Sequence, residues 1–160
     1  APSGERPPRL ARIEQAFRDA GFRPRVSDRI LPWLWVHYAT IAGLLCGLAK
    51  AGSAAAYAAS SEIMRESFLA AREGLDVCRA RGVRLLGLPG TLGLRMPMPL
   101  VVRVARRAYR SPLFATMMDG HLAHAHDEMR KVYGDVVQTG TQLHVPIPRL
   151  LSFRPYIERL

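Results

Sequence analysis

The sequence predicts an all-α fold, a multi-helix bundle with one long central apolar helix and one long helix in its C-terminal half. Apolar residues recur at helical spacing along most of the chain, and no strand-rich region or internal repeat interrupts them. With 160 residues, 49% of them hydrophobic, there is enough chain for one core that buries roughly 70% of the unfolded surface. A single domain over residues 9–160 follows. Residues 1–8, rich in Pro and without the apolar stretch of a signal peptide, read as a linker or cut end.

Leu10, Ile13, Phe17 and Ala20 share one helical face and Gly21 stands where a C-terminal cap belongs, so a first amphipathic helix covers 9–20. Ser27 and Asp28 offer N-cap oxygens to the apolar run from Ile30 to Ala49, the central buried helix. Residues 52–61, small and polar, read as a loop. Ser61 is placed to cap a helix over 62–81 that Gly82 ends; Met64, Phe68, Ala71, Leu75 and Cys78 line its apolar side. Gly87, Gly90 and Gly93, with Pro89, Pro97 and Pro99, make 83–99 an ordered loop. A helix over 100–109 comes next. Ser111 as cap and Pro112 at the first helical position then start a long helix toward Gly140. Pro146 and Pro148 break the chain before a last helical segment holding Leu150, Leu151 and Ile157.

The net charge of +10, from 21 arginines and two lysines against 13 carboxylates, favours anionic partners. The arginines are dispersed, as on a solvated surface. Arg103, Arg106, Arg107 and Arg110 do form one helical stripe, but neither aromatic interleaving nor a nucleic-acid motif accompanies it, so no nucleic-acid partner is expected. Cys46 and Cys78 lie far apart inside helical patterns and are expected as reduced core thiols in a cytoplasm. Residues 31–49 carry no formal charge and approach the roughly 20 residues a bilayer requires. Pro32, His37, Thr40, Gly43 and Gly47 interrupt that stretch, and the other helices need a buried partner, so a core helix is expected rather than a membrane span.

His121, His124 and Glu128, at i, i+3 and i+7, share a helical face, with His126 and Asp127 beside them. They are the densest set of ligand-capable side chains. Neither a nearby cysteine nor an H-E-x-x-H pattern supports them, so no metal site is expected. Residues 87–93 include Pro89-Gly90 but neither a G-x-G-x-x-G turn after a strand nor a G-K-[ST] loop, and the chain has no recognisable nucleotide cradle.

Several strings together resemble one family. Gly4-Glu5 ahead of a helix ending Asp19-Ala20-Gly21-Phe22, then Leu34-Trp35, the spaced set Glu73, Val77, Ala80 and Gly82, and Val145-Pro146 are similar to the C-terminal helical domain of ketopantoate reductases, a domain type shared with 6-phosphogluconate dehydrogenase. The likeness covers nearly the whole chain. It implies a substrate-side and dimerisation domain of an NADP-dependent oxidoreductase that reduces a 2-keto acid in pantothenate biosynthesis, working as a cytoplasmic homodimer. NADP would be held mainly by a nucleotide-binding Rossmann domain, which is absent here. Without that domain the chain is expected to be inactive.

In the resembling family a helix lysine donates the proton; His37 takes its position, shorter than lysine but able to donate a proton near neutral pH. Two asparagines of the family's site correspond to Ile41 and Leu45, which offer no hydrogen bonds. Its serine and glutamate correspond to Thr116 and Glu128 when aligned on Gly134, or to Ala115 and Asp127 when aligned on Asp119. The first register keeps the glutamate and sets Val132-Tyr133-Gly134 on the family's Ile-Asn-Gly. His37 and Glu128 are thus the expected catalytic residues, with Thr116, Ile41 and Leu45 at the substrate. The alternative expectation is a non-enzymatic helical dimerisation module with a degenerate site.

Overall fold

The computed structural model describes residues 7–160, and every regular element among them is an α-helix. Gly4, Glu5 and most of the expected linker lie outside the described residues. The chain divides into two compact units, residues 1–31 and 32–160.

The first unit holds α1 (Pro8–Asp19), with Pro8 at the first position, where its missing N–H costs no helical bond. Gly21 at φ 83° closes it: the Phe22 N–H donates to the Phe17 carbonyl (2.9 Å) and the Gly21 N–H to that of Arg18 (2.9 Å). The Phe17 and Phe22 rings meet edge to face at 5.8 Å, the apolar contact that accompanies this cap.

In the second unit the organising contact is between α2 (Ile30–Ala51, in this unit from Pro32) and α4 (Ser61–Ala80). A Cβ on Gly43 would stand 2.3 Å from the Ala71 nitrogen, and one on Gly74 2.3 Å from the Ala39 carbonyl oxygen. A Cβ on Gly47 would meet Ser67 Cβ at 2.5 Å. Position numbers rise on α2 as they fall on α4, so the helices run antiparallel. The seam ends with the Cys78 thiol donating to the Trp35 carbonyl (3.4 Å) and the Arg81 guanidinium 3.7 Å over the Trp35 ring. α2 is long and apolar enough to cross a membrane by length and composition; here Val36, Ala39, Ala42, Leu45, Cys46 and Leu48 are buried in the core.

Between them, residues 54–59 form a helix rather than the expected loop. Ser53 caps α3 (Ala54–Ala59) by accepting from the Ala56 N–H (3.1 Å), a signal masked in the sequence by the surrounding alanines. Ser60, not Ser61, caps α4, accepting from the Ile63 N–H at 3.2 Å. Fully buried Tyr57 hydrogen-bonds to Ser67.

The glycine- and proline-rich 83–99 segment contains one short helix, α5 (Thr91–Arg95), and is held by side chains. The Thr91 hydroxyl sits within hydrogen-bonding distance of the Leu88 (2.8 Å) and Leu85 (3.1 Å) carbonyls, and Arg72 donates to those of Leu94 (2.7 Å) and Met96 (2.6 Å). α6 (Met98–Tyr109) packs on α3 and α4, and the rings of Tyr57, Tyr109 and Phe114 form an edge-to-face row with 4.8 Å spacings.

The long helix expected from Ser111 to Gly140 is two helices, α7 (Pro112–His124) and α8 (His126–Gln142). Ser111 precedes α7 without a side-chain capping bond. Ala125, at φ −117° and ψ 33°, leaves the helical region. Neither Gly nor Pro marks the break; its cause is tertiary. Asp119 of α7 is drawn to the Ala54 N–H at the start of α3 (2.6 Å), while Met129, Val132, Tyr133 and Val136 of α8 are sunk in the core. The His126 ring donates to the Leu122 carbonyl (2.5 Å), the acceptor that a continuous helix would pair with the His126 backbone N–H.

The chain ends in α9 (Pro148–Ser152) and α10 (Arg154–Ile157). Glu73 of α4 accepts from the Arg149 and Leu150 N–H groups, both at 2.9 Å, and the Tyr133 hydroxyl donates to the Leu150 carbonyl (3.1 Å). Burial raises the Glu73 carboxyl pKa; the two backbone bonds and Arg149 oppose the shift.

Two stability predictions follow from this packing. Gly43→Ala and Gly74→Ala put a methyl against backbone that cannot swing aside, and each should cost about 3 kcal/mol in urea unfolding, whereas Gly120→Ala, with open space around it, should be neutral or stabilising by up to about 1 kcal/mol. His144, at φ 54°, ends α8 in the left-handed conformation that Gly21 and Gly82 adopt at the ends of α1 and α4. His144→Gly should therefore raise stability by about 0.5–1 kcal/mol, read as a higher urea midpoint at unchanged slope.

Candidate functional site

One row of α2 carries His37, Ile41 and Leu45, and it descends into the core as it is followed along the helix. His37 is exposed, its ring stacked on Trp33 at 5.0 Å and 9°. Ile41 is half-buried against the core. Leu45 is 5% exposed, which leaves it almost no surface for a ligand.

Beside His37 on α2, the Tyr38 hydroxyl donates to Asp135 Oδ2 of α8 at 2.8 Å. Lys131, one turn earlier on α8, donates to both oxygens of that carboxylate, at 3.1 and 2.9 Å. Burial, the Asp135 hydrogen bond and charge, and the charge of Glu128 together push the Tyr38 phenol up to about 12. The phenol therefore stays protonated and remains a donor. The Lys131 hydrogen bond, followed by that from Tyr38, holds the Asp135 carboxyl below its ordinary value. The result is an open face where α2 and α8 meet, carrying a phenol, an ammonium and the Asp135 carboxylate, with His37 on the neighbouring row of α2.

Asp127 and Glu128 are both exposed; Asp127 pairs with Arg130 at 2.8 Å, and the charge of Glu128 contributes to the raised Tyr38 pKa. On α7, Ala115 packs against the core and Thr116 is exposed. No hydrogen bond among the described residues ties Thr116 to His37, Tyr38 or Glu128. Tyr38, Lys131 and Asp135 were not among the expected site residues. The i, i+4 spacing of Lys131 and Asp135 is visible in the sequence, but only the α2–α8 contact joins them to Tyr38.

The single face assigned to His121, His124 and Glu128 does not exist, because the break at Ala125 places the histidines and the glutamate on different helices. The His121 ring donates to the Met117 carbonyl at 3.0 Å. No group of three or more His, Cys, Asp or Glu among the described residues is arranged around a common metal position. Nor do these residues form the strand–turn–helix cradle in which a Rossmann domain holds the pyrophosphate of NADP. There is no strand among them to carry a glycine turn into a helix, and Gly90 at φ 85° serves instead to start the five-residue α5. No hydride step is assigned to them.

No protein-family profile, characterised protein or solved structure matches this chain.

The Asp135 cluster makes a pH prediction. A carboxyl whose pKa is lowered on folding contributes stability above its unfolded value near 4, and that contribution disappears as pH falls through the lowered value. The side chain is 41% exposed, so solvent keeps the effect small. In a carboxyl-detected NMR titration Asp135 should titrate below the ordinary aspartate range, and Tyr38→Phe or Lys131→Ala should each move it upward.

Proposed function

We propose that this chain is the substrate-side helical domain of a ketopantoate-reductase-like protein, binding a small 2-keto acid on the face between α2 and α8. The observation that carries this reading is the meeting of the two helices at the Tyr38–Asp135 hydrogen bond, with exposed His37 next to Tyr38 in the chain and Glu128 in electrostatic reach of the phenol. Those are the two elements on which the family likeness sets the catalytic groups. On this reading Lys131 attracts the substrate carboxylate, while Asp135, itself held by the Tyr38 hydroxyl, keeps its ammonium in place. His37 donates to the keto oxygen. NADP arrives on a separate nucleotide-binding domain, and the assembly is a cytoplasmic homodimer, which the free, buried Cys46 and Cys78 suit.

A second reading, a non-enzymatic dimerisation module, draws on the burial of Leu45 and the packing of Ile41, which close two positions where the resembling site is polar. The two separate in one experiment. Ketopantoate titrated into the 15N-labelled chain should shift Tyr38, Lys131 and Glu128 saturably, with affinity about tenfold weaker in Lys131→Ala. NADPH oxidation by the protein made from the complete gene should fall about a hundredfold in His37→Ala. Failure to bind ketopantoate or other small 2-keto acids, with no NADPH consumed, would leave the dimerisation module.

A further inference from the structure

Away from α2 and α8 the second unit carries a cleft of about 870 Å³ between the first turns of α4, the length of α6 and the turn that follows it. Five arginines line it: Arg65, Arg103, Arg106, Arg107 and Arg110. No carboxylate lines it with them. Arg65 is partly satisfied, donating to Glu66 at 3.1 Å. Arg106 is built into the wall: its Nε donates to the Ala58 carbonyl and its Nη1 to the Ser61 hydroxyl, both at 3.0 Å. Two of its five N–H groups are used in this way, and the guanidinium plane is held by backbone of α3 and the first residue of α4. Arg103, Arg107 and Arg110, at i, i+4 and i+7, are exposed and have no ion-pair partner among the described residues. Between the charged groups the lining is apolar, from Met98, Pro99 and Val102.

We infer that this cleft binds an organic di- or polyphosphate, with its phosphates on the Arg103, Arg106 and Arg107 guanidiniums and its organic part over Met98 and Val102. Guanidiniums match phosphate oxygens two at a time, and several together favour a ligand with more than one phosphate over a single carboxylate. The volume lies in the range of pockets that enclose a nucleotide-sized molecule. A concave, apolar-floored cleft suits such a molecule better than a polymer backbone, which needs an extended basic track. The sequence showed the α6 stripe but not its setting, since Arg65 and Ser61 join it only across the α4–α6 packing. The cleft shares no residue with the α2–α8 face, and its test is independent of the reading proposed for that face.

The experiment is calorimetric titration of the full chain with ADP, pyrophosphate and inorganic phosphate at low and moderate salt. Saturable one-to-one binding is expected, tighter for ADP and pyrophosphate than for phosphate. Arg103→Gln/Arg107→Gln should weaken it at least tenfold; both side chains are exposed, so the fold should persist, checked by an unchanged circular dichroism spectrum. Arg103→Lys/Arg107→Lys keeps the charge and should still lose at least threefold. Three results overturn the proposal: no saturable binding of any probe at low salt, equal affinity in the lysine variant, or tighter binding of a single-stranded oligonucleotide or phosphatidylserine vesicles than of ADP through the same arginines.

Discussion

Gly43 and Gly74 let the backbones of α2 and α4 touch, and the rest of the second unit is arranged around that contact. Glycine inside a helix costs roughly 1 kcal/mol relative to alanine. Here that cost is offset because any side chain at either position would occupy the partner's peptide atoms. With the two helices this close, their outer faces rather than their seam must hold the remaining elements. Gly47 leaves room for Ser67 and the fully buried Tyr57, which starts the aromatic row leading to α6 and α7.

Several of the elements that pack around this pair, α3, α5 and α9, are short, and long polar side chains reaching to backbone groups secure them. Glu73 receives two N–H groups at the start of α9, Arg72 holds two carbonyls at the α5–α6 junction, and Asp119 receives the first N–H of α3. Each bond satisfies a backbone group that a helix end or loop leaves without a helical partner. This is why a glycine- and proline-rich stretch such as 83–99 can be ordered with only one five-residue helix inside it. It also divides the arginines by task. Arg72 is a structural tie, Arg106 is tied to Ala58 and Ser61 while still lining the cleft, and Arg103, Arg107 and Arg110 line it without an ion-pair partner among the described residues.

The same geometry shapes the α2–α8 face. Because α2 presents its small residues to α4, the row beginning at His37 turns inward, and by Leu45 the core has absorbed it. Only the first turns of the row stay accessible, and there Tyr38 makes the bond to α8. The polar chemistry of the face is consequently centred on Tyr38, Lys131 and Asp135, one position around the helix from the His37, Ile41 and Leu45 row expected from the sequence.

By itself the sequence determined the helical class and the ends of the longer helices, apart from the division of α7 from α8. Those depend on neighbours a few residues apart: Gly21 and Gly82 closing α1 and α4, Pro112 opening α7, apolar residues recurring at three and four. It also made the α6 arginine stripe legible. Tertiary structure alone decided the break at Ala125, the pairing of Tyr38 with Asp135, the burial of Leu45, and the closing of the arginine stripe into a cleft by Arg65 and Ser61. Each of these joins or separates groups through contacts between helices distant in sequence, and no local preference at Ala125, Tyr38 or Arg65 encodes which distant neighbour it will meet.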